Sequence, residues 1–489
     1  MNNTNDFNLK KVLPAVLTIA IGMLLVMMDT TIMNVTLPHI QSAFHQNLSN
    51  SQWVITAYTL AMATVIPFAG FLGDRFSDKK VFALAILFFT IASFLAANAH
   101  SLQSLIIWRI AQGLTGGIVA PIGIGMSFKI IPMEKRGSMM GLLGLPMLLA
   151  PTIGPALSGF LVKYFNWSTV FLINLPVGIL ALIFVLLFLP NFPANKASKI
   201  DLKGALLSPF AFPILIYGVH VGADKGWSNP TALFFVGLGL IMLFLFIIVE
   251  LRVENPLLHL RAFTIPEFTK GISLMWLNQI VIFGAMLLVP LYSQNVVGLS
   301  SEKTGLIMVP QAIASFLGMT IGGRIFDKFG TKVAVLPGFL LGAFSLTLFT
   351  QIKPSSSLTF TIGAIVLLGL SQGLVNMQVN NHALQSVPMK NISRVTPLTN
   401  EMMQVVNSFA IAFLTAFLSG QIKNQNGLSR INSHLIAYHH TFALLLGFVC
   451  IGFVLSLFLK EKETKQTRVD NGNIISHSDL FSKKLLTVN

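Results

Sequence analysis

Long apolar runs follow one another along almost the whole sequence, and they restrict the fold more than any other feature. Each run is about 20 residues long, enough for a helix to cross a bilayer core of roughly 30 Å. With 54% hydrophobic and 10% charged residues, a chain of 489 residues is too apolar for a soluble protein. We therefore predict an all-α polytopic membrane protein with fourteen spans, at 12–37, 52–72, 81–98, 102–131, 138–162, 168–190, 204–222, 231–251, 269–293, 304–323, 331–350, 358–387, 395–420 and 439–459.

The positive charge is distributed unevenly between the two sides of the predicted membrane. With the N-terminus in the cytoplasm, the inner segments and tails contain 25 Lys and Arg residues, and the outer loops contain 6. This asymmetry follows the positive-inside rule, so both termini are predicted to be cytoplasmic. The net charge of +15 therefore reflects membrane topology, and we do not expect nucleic-acid binding.

Landmarks of the first half of the chain return in the second half. Residues 70–80, between the second and third spans, resemble residues 323–332, and Asp74 is separated from Asp327 by 253 residues. Two related six-helix halves, separated by two extra helices, explain this offset, and such a repeat is typical of secondary transporters. The predicted divisions are an N-terminal bundle at 1–190, a linker with two extra helices at 191–268, a C-terminal bundle at 269–460 and a cytoplasmic tail at 461–489.

Asp29 places a carboxyl group well inside the first apolar span. A charged side chain at the centre of a membrane helix costs about 2.5–3.5 kcal/mol, which makes a functional role the default hypothesis. Burial disfavours the charged form of a carboxyl, so Asp29 is a candidate for proton uptake and release. The alternative is a purely structural hydrogen bond to a neighbouring helix.

The fourth span contains Arg109, Gln112 and Gly113, which steps of three and four residues place along one side of a helix. A guanidinium group here needs an acceptor or a wet cavity, and its charge would influence proton loss from a nearby carboxyl. The alternative is that Arg109 extends to the membrane interface. The matching position in the second half is Gly369, so this charge belongs to the first bundle.

The fifth span has small residues and prolines at helical spacing, with Gly154-Pro155 at its centre and Gly159 one turn later. Small residues allow close helix packing, and proline removes a backbone hydrogen bond and bends the helix. Such a helix is suited to sealing one side of a cavity and pivoting. Ordinary helix packing is the alternative.

These segments together resemble the major facilitator superfamily. Residues 70–80, Arg109-x-x-Gln112-Gly113 and Gly154-Pro155-x-x-Ser158-Gly159 are similar to three of its motifs, the last to the antiporter motif of proton-coupled exporters. Residues 29–35 and the fourteen spans narrow the likeness to the fourteen-helix drug:proton antiporters of the EmrB/QacA type. The resemblance implies the major facilitator fold, two six-helix bundles plus two inserted helices. The first loop departs from the family pattern at Ser77, usually glycine, and at Asp78, often a basic residue.

The thirteenth span has a polar edge that predicts contact with a wet cavity. Glu401 is a candidate second titrating or cation-attracting group, unless the helix begins later and leaves it in a cytoplasmic loop. The residues singled out as possible cavity lining are Asn34, Trp53, Tyr58, Asn278, Gln279, Asn400, Gln404 and Asn407.

Charged residues beside the repeated loops are candidates for contacts between the two bundles. Asp74 and Asp327, next to basic groups, would form contacts that break when the bundles separate; as solvated charges they would contribute little. The predicted gating and packing residues are Gly70, Asp74, Arg75, Arg136, Gly154, Pro155, Gly159 and Asp327, with Arg324 and Lys328 as further basic neighbours. The histidines show no metal-ligand spacing, and no metal site is predicted.

The leading interpretation is a proton-coupled antiporter that exports lipophilic, cationic drugs or other toxic compounds across the cytoplasmic membrane by alternating access. Asp29, Arg109, Gln112 and Glu401 are the predicted coupling and binding residues. No phosphate-binding Gly-x-x-x-x-Gly-Lys-[Ser/Thr] motif is present, so we expect no cofactor, only the proton gradient. The expected partners are the bilayer, protons and small lipophilic substrates. The chain is expected to act as a monomer, and the sequence does not identify an adaptor protein.

Three alternatives remain open at this point. The transported compound could be a specific anionic or endogenous metabolite, or a tetracycline-like compound. An integral-membrane lipid-modifying enzyme would need a catalytic cluster at one membrane face, and none is found in the sequence. A non-transporting membrane sensor is the third alternative.

Overall fold

A computed structural model describes most of this chain. The described residues are 9–46, 48–194, 201–299, 301–353, 356–423, 430–460, 468–470 and 473–475. Within helices, the side chains of some residues, Asn34 and Pro155 among them, also lie outside the description.

The first half of the chain forms six long helical passes. The second pass is interrupted by a 3-10 turn at Ile66–Phe68, and the sixth is assembled from a short helix and a longer one. The helices are α1 (Leu9–Ala43), α2 (Leu48–Val65), α3 (Ala69–Phe76), α4 (Asp78–Ala97), α5 (Leu102–Ile130), α6 (Arg136–Tyr164), α7 (Thr169–Leu172) and α8 (Asn174–Phe188).

The remaining passes begin with two inserted helices and continue with six helices of the second half. Short 3-10 turns at Met133–Lys135, Leu260–Thr264 and Met389–Asn391 precede α6, α11 and α15. The helices are α9 (Leu202–Lys225), α10 (Pro230–Arg252), α11 (Pro266–Asn295), α12 (Ser301–Phe329), α13 (Thr331–Phe349), α14 (Leu358–Gln385), α15 (Ile392–Lys423) and α16 (Arg430–Leu457).

Local sequence signals explain several helix starts. Ser101 and Ser104 form a reciprocal capping box at the start of α5. Asp201 and Asn229 accept backbone N–H groups at the starts of α9 and α10, and Pro230 occupies the first turn of α10. These polar caps stand between apolar runs, so the sequence marks the helix boundaries clearly.

Thirteen segments of the described chain are long and apolar enough to cross a membrane. They coincide with thirteen of the fourteen predicted spans, and α6, a helix of 29 residues, lies at the remaining one, 138–162. The all-α polytopic prediction is confirmed for this part of the chain. Large apolar side chains such as Phe88, Leu187 and Phe244 face outward, where lipid would cover them.

The repeated loop segments make polar contacts at equivalent positions in the two halves. Asp78, at the start of α4, forms an ion pair of 2.6 Å with Lys129 at the end of α5. Thr331, at the start of α13, bonds to His382 near the end of α14 at 2.9 Å. The next residue in each loop is a lysine whose ammonium donates to a carbonyl at a helix end, Lys79 to Leu189 and Lys332 to Leu457, each at 2.6 Å.

The inserted helix α9 packs against α2 of the first half and α15 of the second, and α10 packs on α9. Trp53 of α2 stacks on Tyr217 of α9, with ring centroids 5.8 Å apart. The inserted pair therefore lies at the edge where the two halves meet. The chain after Leu459 forms a separate unit, in which β1 (Arg468–Asp470) pairs antiparallel with β2 (Asn473–Ile475).

Candidate functional site

A buried network of polar side chains surrounds Asp29 of α1. Its carboxylate is paired with the guanidinium of Arg109 from α5, with 2.5 Å between Oδ2 and Nη1. Its other oxygen accepts hydrogen bonds from Asn174 of α8 at 2.8 Å and from Gln112 of α5 at 3.3 Å. Asp29 and Arg109 are 2% and 0% exposed, so neither is open to solvent in this conformation.

The guanidinium of Arg109 has further partners besides Asp29. Its Nε donates to the carbonyl of Val54 at 3.0 Å, and Nη1 also donates to Gln112 Oε1 at 3.1 Å. The ring of Tyr58 lies 4.0 Å from the guanidinium carbon, a cation–π contact that strengthens in a dry environment. Arg109 therefore does not extend to the membrane interface, and Tyr58, a suggested cavity residue, belongs to this network instead.

Two members of the network were not predicted from the sequence. Asn174 donates to Asp29, and Ser93 of α4 accepts from Gln112 at 2.7 Å and from Asn174 at 3.3 Å. The available signal was a single polar residue, Asn174, at the start of an otherwise apolar helix. Ser93 gave no signal, because serine is common within membrane helices as a backbone-bonded residue.

Helix α6 packs tightly against α1 close to Asp29. The hydroxyl of Thr31 donates to the carbonyl of Ala150 at 2.9 Å, and Thr36 and Ser158 hydroxyls lie 2.8 Å apart. A side chain at Gly154 would collide with Thr31, so the glycine is needed for this close approach. Gly159 is exposed, and a Cβ there would meet no described atom within 4 Å, so packing does not explain that glycine in this conformation.

Glu401 lies inside α15, within a candidate span at Met389–Ile422, and not in a loop. It is fully buried, and within the described chain neither carboxyl oxygen has a hydrogen-bond partner. An unpaired carboxylate is costly in such a place, so Glu401 must carry a proton or attract a cation.

Other predicted lining residues contribute buried polar atoms to the second half. Asn278 Nδ2 and Gln279 Oε1 on α11, and Asn407 Oδ1 on α15, have no hydrogen-bond partner among the described residues. Asn400 donates to the carbonyl of Thr396 at 2.8 Å, and Gln404 is half-buried on the same helix. Buried amides without partners are uncommon unless water or a ligand satisfies them, so these residues suit a polar cavity wall.

The two halves meet at the end of the bundle that carries the repeated loops, which we call the motif end (residues 70–80 and 323–332). Asp74 of α3 accepts from Ser393 of α15 at 3.1 Å, and the Nε of Arg394 lies 3.8 Å from the same oxygen. A Cβ at Gly70 would collide with the carbonyl of Ser393. The first loop is therefore closed against the start of α15.

Asp327 of α12 makes the corresponding contact on the other side. Its two oxygens accept the backbone N–H groups of Gly137 at 2.6 Å and Ser138 at 2.9 Å, at the start of α6. A carboxylate at a helix N-terminus is favoured by the helix dipole. A Cβ at Gly323 would lie 2.6 Å from the carbonyl of Gly137, so the helices touch through backbone.

The partners that Asp74 and Asp327 have across the two halves, Ser393 and Arg394 for the first and backbone N–H groups of α6 for the second, are not the basic residues named from the sequence. Arg136 donates to the carbonyls of Phe128 and Ile131 at 3.1 and 3.3 Å. Trp53 is 41% exposed near the start of α2. No three His, Cys, Asp or Glu side chains in the described chain lie close enough together to hold a metal ion.

The sequence model of the Major Facilitator Superfamily matches residues 19–413. The chain belongs to this superfamily. It is a multi-pass membrane transporter and not an enzyme.

Similar proteins agree with this placement. The lincomycin resistance protein LmrB of Bacillus subtilis (strain 168) is 29% identical over 460 residues, 92% of this chain and 96% of that protein. A multidrug resistance protein B homolog of Mycobacterium tuberculosis (strain H37Rv) is 29% identical over 400 residues, 81% of this chain and 74% of that protein. The crystal structure of the human organic anion transporter MFSD10 superposes with a TM-score of 0.64, covering 91% of this chain and 99% of that chain. At 14% identity it supports the fold alone.

Proposed function

We propose that this transporter is a proton-coupled antiporter that exports lipophilic, cationic drugs or toxic compounds by alternating access. It would act as a monomer in the cell membrane, with both termini in the cytoplasm and the proton gradient as its energy source. The relatives named for resistance to lincomycin or to several drugs support export of toxic compounds.

The buried pair of Asp29 and Arg109 is the observation that carries the proposal. The ionised carboxylate uses Arg109, Asn174 and Gln112 as donors, whereas a protonated Asp29 would no longer neutralise the guanidinium. A buried charge without its partner costs about 3–5 kcal/mol, so proton uptake would force a rearrangement of α1 against α5. Proton exchange at one residue would thereby be coupled to a change of conformation.

The charges of the interior favour a cationic substrate. Arg109 is matched by Asp29, and Glu401 adds a further buried acid for which the described chain supplies no basic partner. A lipophilic cation between the halves would neutralise Glu401 or compete with Arg109 for Asp29. The half-buried and buried amides of α11 and α15 would satisfy polar atoms of varied substrates.

Alternating access would use the motif end as the inner gate. If the repeated loops are cytoplasmic, as predicted, the contacts of Asp74 with α15 and of Asp327 with α6 close this conformation to the cytoplasm. Opening would break these contacts and give the substrate access from inside.

The decisive experiment measures proton-driven uptake of a lipophilic cationic dye into inside-out vesicles that contain the wild type or Asp29→Asn; uptake into these vesicles corresponds to export from the cell. We expect Asp29→Asn to bind dye but to lose acceleration by the pH gradient, because the amide cannot exchange a proton. Asp29→Glu should retain partial coupling.

Asp224→Asn is the matched control, since Asp224 is exposed at the far end of α9 from Asp201. It should behave as wild type. Undiminished gradient-driven efflux in folded Asp29→Asn protein would rule out the coupling role of Asp29. Efflux of anionic but not cationic dyes would rule out the proposed substrate class.

A further inference from the structure

Two carboxyl groups lie buried together in the inserted helices, apart from the network around Asp29. Asp201 caps α9, with Oδ1 accepting the N–H of Lys203 at 3.1 Å. Glu250, in the last turn of α10, accepts the N–H groups of Leu257 at 3.3 Å and Leu258 at 3.1 Å. Asp201 is 5% exposed and Glu250 is 1% exposed. We call these two residues the acid pair.

One oxygen of each member, Oδ2 of Asp201 and Oε1 of Glu250, lies beside Gly204 of α9. A Cβ at Gly204 would collide with both Oδ2 of Asp201 and Oε1 of Glu250. Within the described chain, Oδ2 of Asp201 has no hydrogen-bond partner, and neither carboxyl forms an ion pair. Ser208, one helical turn beyond Gly204, is also fully buried with an unpartnered hydroxyl.

A shared proton explains this geometry. Two adjacent carboxyl groups in a buried place cannot both be ionised at neutral pH, so one retains a proton and donates it to the other. Such a proton would supply the missing partner of Asp201 Oδ2.

Among the described residues, the basic groups nearest to the acid pair do not replace this proton. Burial, together with Arg261, Arg394 and Lys390, lowers the pKa of His259, so this histidine is neutral at neutral pH. The guanidinium of Arg394 donates to the carbonyl of Pro256 at 2.8 Å. Lys203, Arg252, Glu254 and Arg261 are exposed, whereas Glu401 of α15, a helix that packs against α9, is buried.

A continuous set of contacts joins the acid pair to the motif end. Glu250 holds the backbone of Leu257 and Leu258, and the next residue, His259, donates its N–H to the carbonyl of Arg394 at 3.3 Å. Arg394 and its neighbour Ser393 begin α15 and contact Asp74 of α3. The loop between α10 and α11 therefore connects the acid pair with the contact that closes the two halves.

We propose that the acid pair is a proton-binding site that adjusts the gate between α3 and α15 to cytoplasmic pH. When the pH rises and the shared proton leaves, repulsion between two carboxylates displaces Glu250 from Leu257 and Leu258. The loop then loosens its hold on Arg394, and the motif end opens more easily. The regulatory part of this inference rests on the proposed alternating access, whereas proton binding by the pair does not.

Infrared spectra of the purified transporter test proton binding directly. In a Glu401→Gln background, which removes the other buried carboxyl without a partner among the described residues, the transporter should show at neutral pH a band from a protonated carboxyl that disappears on alkaline titration. Asp201→Asn and Glu250→Gln should each lose this band, because either substitution leaves a single carboxyl that no longer needs to share a proton. Persistence of the band in both variants would refute the shared proton.

Distances across the motif end test the regulation. Spin labels at Lys80→Cys on α4 and Lys390→Cys before α15, in a Cys450→Ser background, report the separation of the two halves. In the wild type we expect the separated population to increase at alkaline pH. In Glu250→Gln the amide mimics the protonated acid, so the closed population should persist.

Two further variants separate this proposal from the role of Asp29. Asp29→Asn should keep the alkaline response of the gate even if it abolishes coupled efflux, and Asp224→Asn should keep both. Thermal unfolding checks that each variant is folded, and Asp201→Asn serves as the second test of the pair. An unchanged alkaline response in folded Glu250→Gln and Asp201→Asn would overturn the proposed regulation.

Discussion

At the scale of single residues, the central fact is how many helices contribute to one carboxylate. Asp29 of α1 is bonded by Arg109 and Gln112 of α5 and by Asn174 of α8, while Ser93 of α4 orients the two amides. Hydrogen bonds to a charged group contribute about 1.5–3 kcal/mol each. The network therefore holds four helices together only while Asp29 is ionised, and this makes the residue suitable for coupling.

Asn174→Ala should weaken this network. Removing the donor at 2.8 Å leaves Oδ1 of Asp29 with only the longer bond from Gln112. We expect a loss of about 1.5–3 kcal/mol of stability and slower gradient-driven efflux. Thermal unfolding in detergent and dye efflux in vesicles measure the two effects.

Asn98→Ala is the control for Asn174→Ala, since Asn98 is an exposed asparagine at the end of α4. It should leave efflux unchanged. Wild-type stability and efflux in Asn174→Ala would show that the observed hydrogen bond is dispensable.

At the scale of elements, the two copies of the loop differ at the residue that joins the two helices, which needs a positive φ in both copies. Ser77, between α3 and α4, has a φ of 82°, and Gly330, between α12 and α13, has a φ of 86°. Only glycine adopts such a backbone without strain. The serine found at position 77 in place of glycine therefore stores backbone strain in the first half. The next residue, Asp78, anchors the start of α4 through its ion pair with Lys129.

Ser77→Gly should stabilise the transporter. Glycine relieves the strain of the positive φ, but it also loses more conformational entropy on folding than serine does. The difference between the two effects predicts an increase of about 0.5–1 kcal/mol in the free energy of unfolding. Thermal unfolding of the purified protein measures this gain. Ser77→Ala, which keeps a Cβ, should gain nothing, and Gly330→Ser should lose about 1–2 kcal/mol. A lower unfolding temperature for Ser77→Gly than for wild type would contradict this account.

At the scale of the whole molecule, the contacts at the motif end join halves that are far apart in sequence. The carboxylate of Asp327 binds the start of α6, and that of Asp74 binds the start of α15. Gly323 and Gly70 allow the backbones to approach at these two points. The contact between the halves at the motif end therefore depends on small residues as much as on charge.

Gly323→Val should force the halves apart at the motif end, because the new side chain would overlap the backbone of Gly137. A cysteine replacing Ser138, in a Cys450→Ser background, should then react faster with an impermeant maleimide in inside-out vesicles. Gly447→Val is the control, since Gly447 is exposed and a Cβ there would meet no described atom within 4 Å. Equal labelling rates in the two variants would argue against a gate at Gly323.

Much of this organisation follows from the sequence alone. The apolar runs, the asymmetry of basic residues and the repeated loops predicted the membrane class and the succession of spans, because hydrophobicity and helix length are local properties. The importance of Asp29 and Arg109 was also predictable, since a charge in an apolar helix is costly wherever it lies. The motifs then indicated the superfamily to which the chain belongs.

Only the tertiary structure decided which side chains meet. The pairing of Asp29 with Arg109, the part played by Asn174, the burial of Glu401 and the acid pair of Asp201 and Glu250 join residues from different helices. Helix spacing tells which residues share a face, but it does not tell which faces of separate helices come together. That choice depends on the packing of all fourteen helical passes at once, and so on contacts across the whole chain.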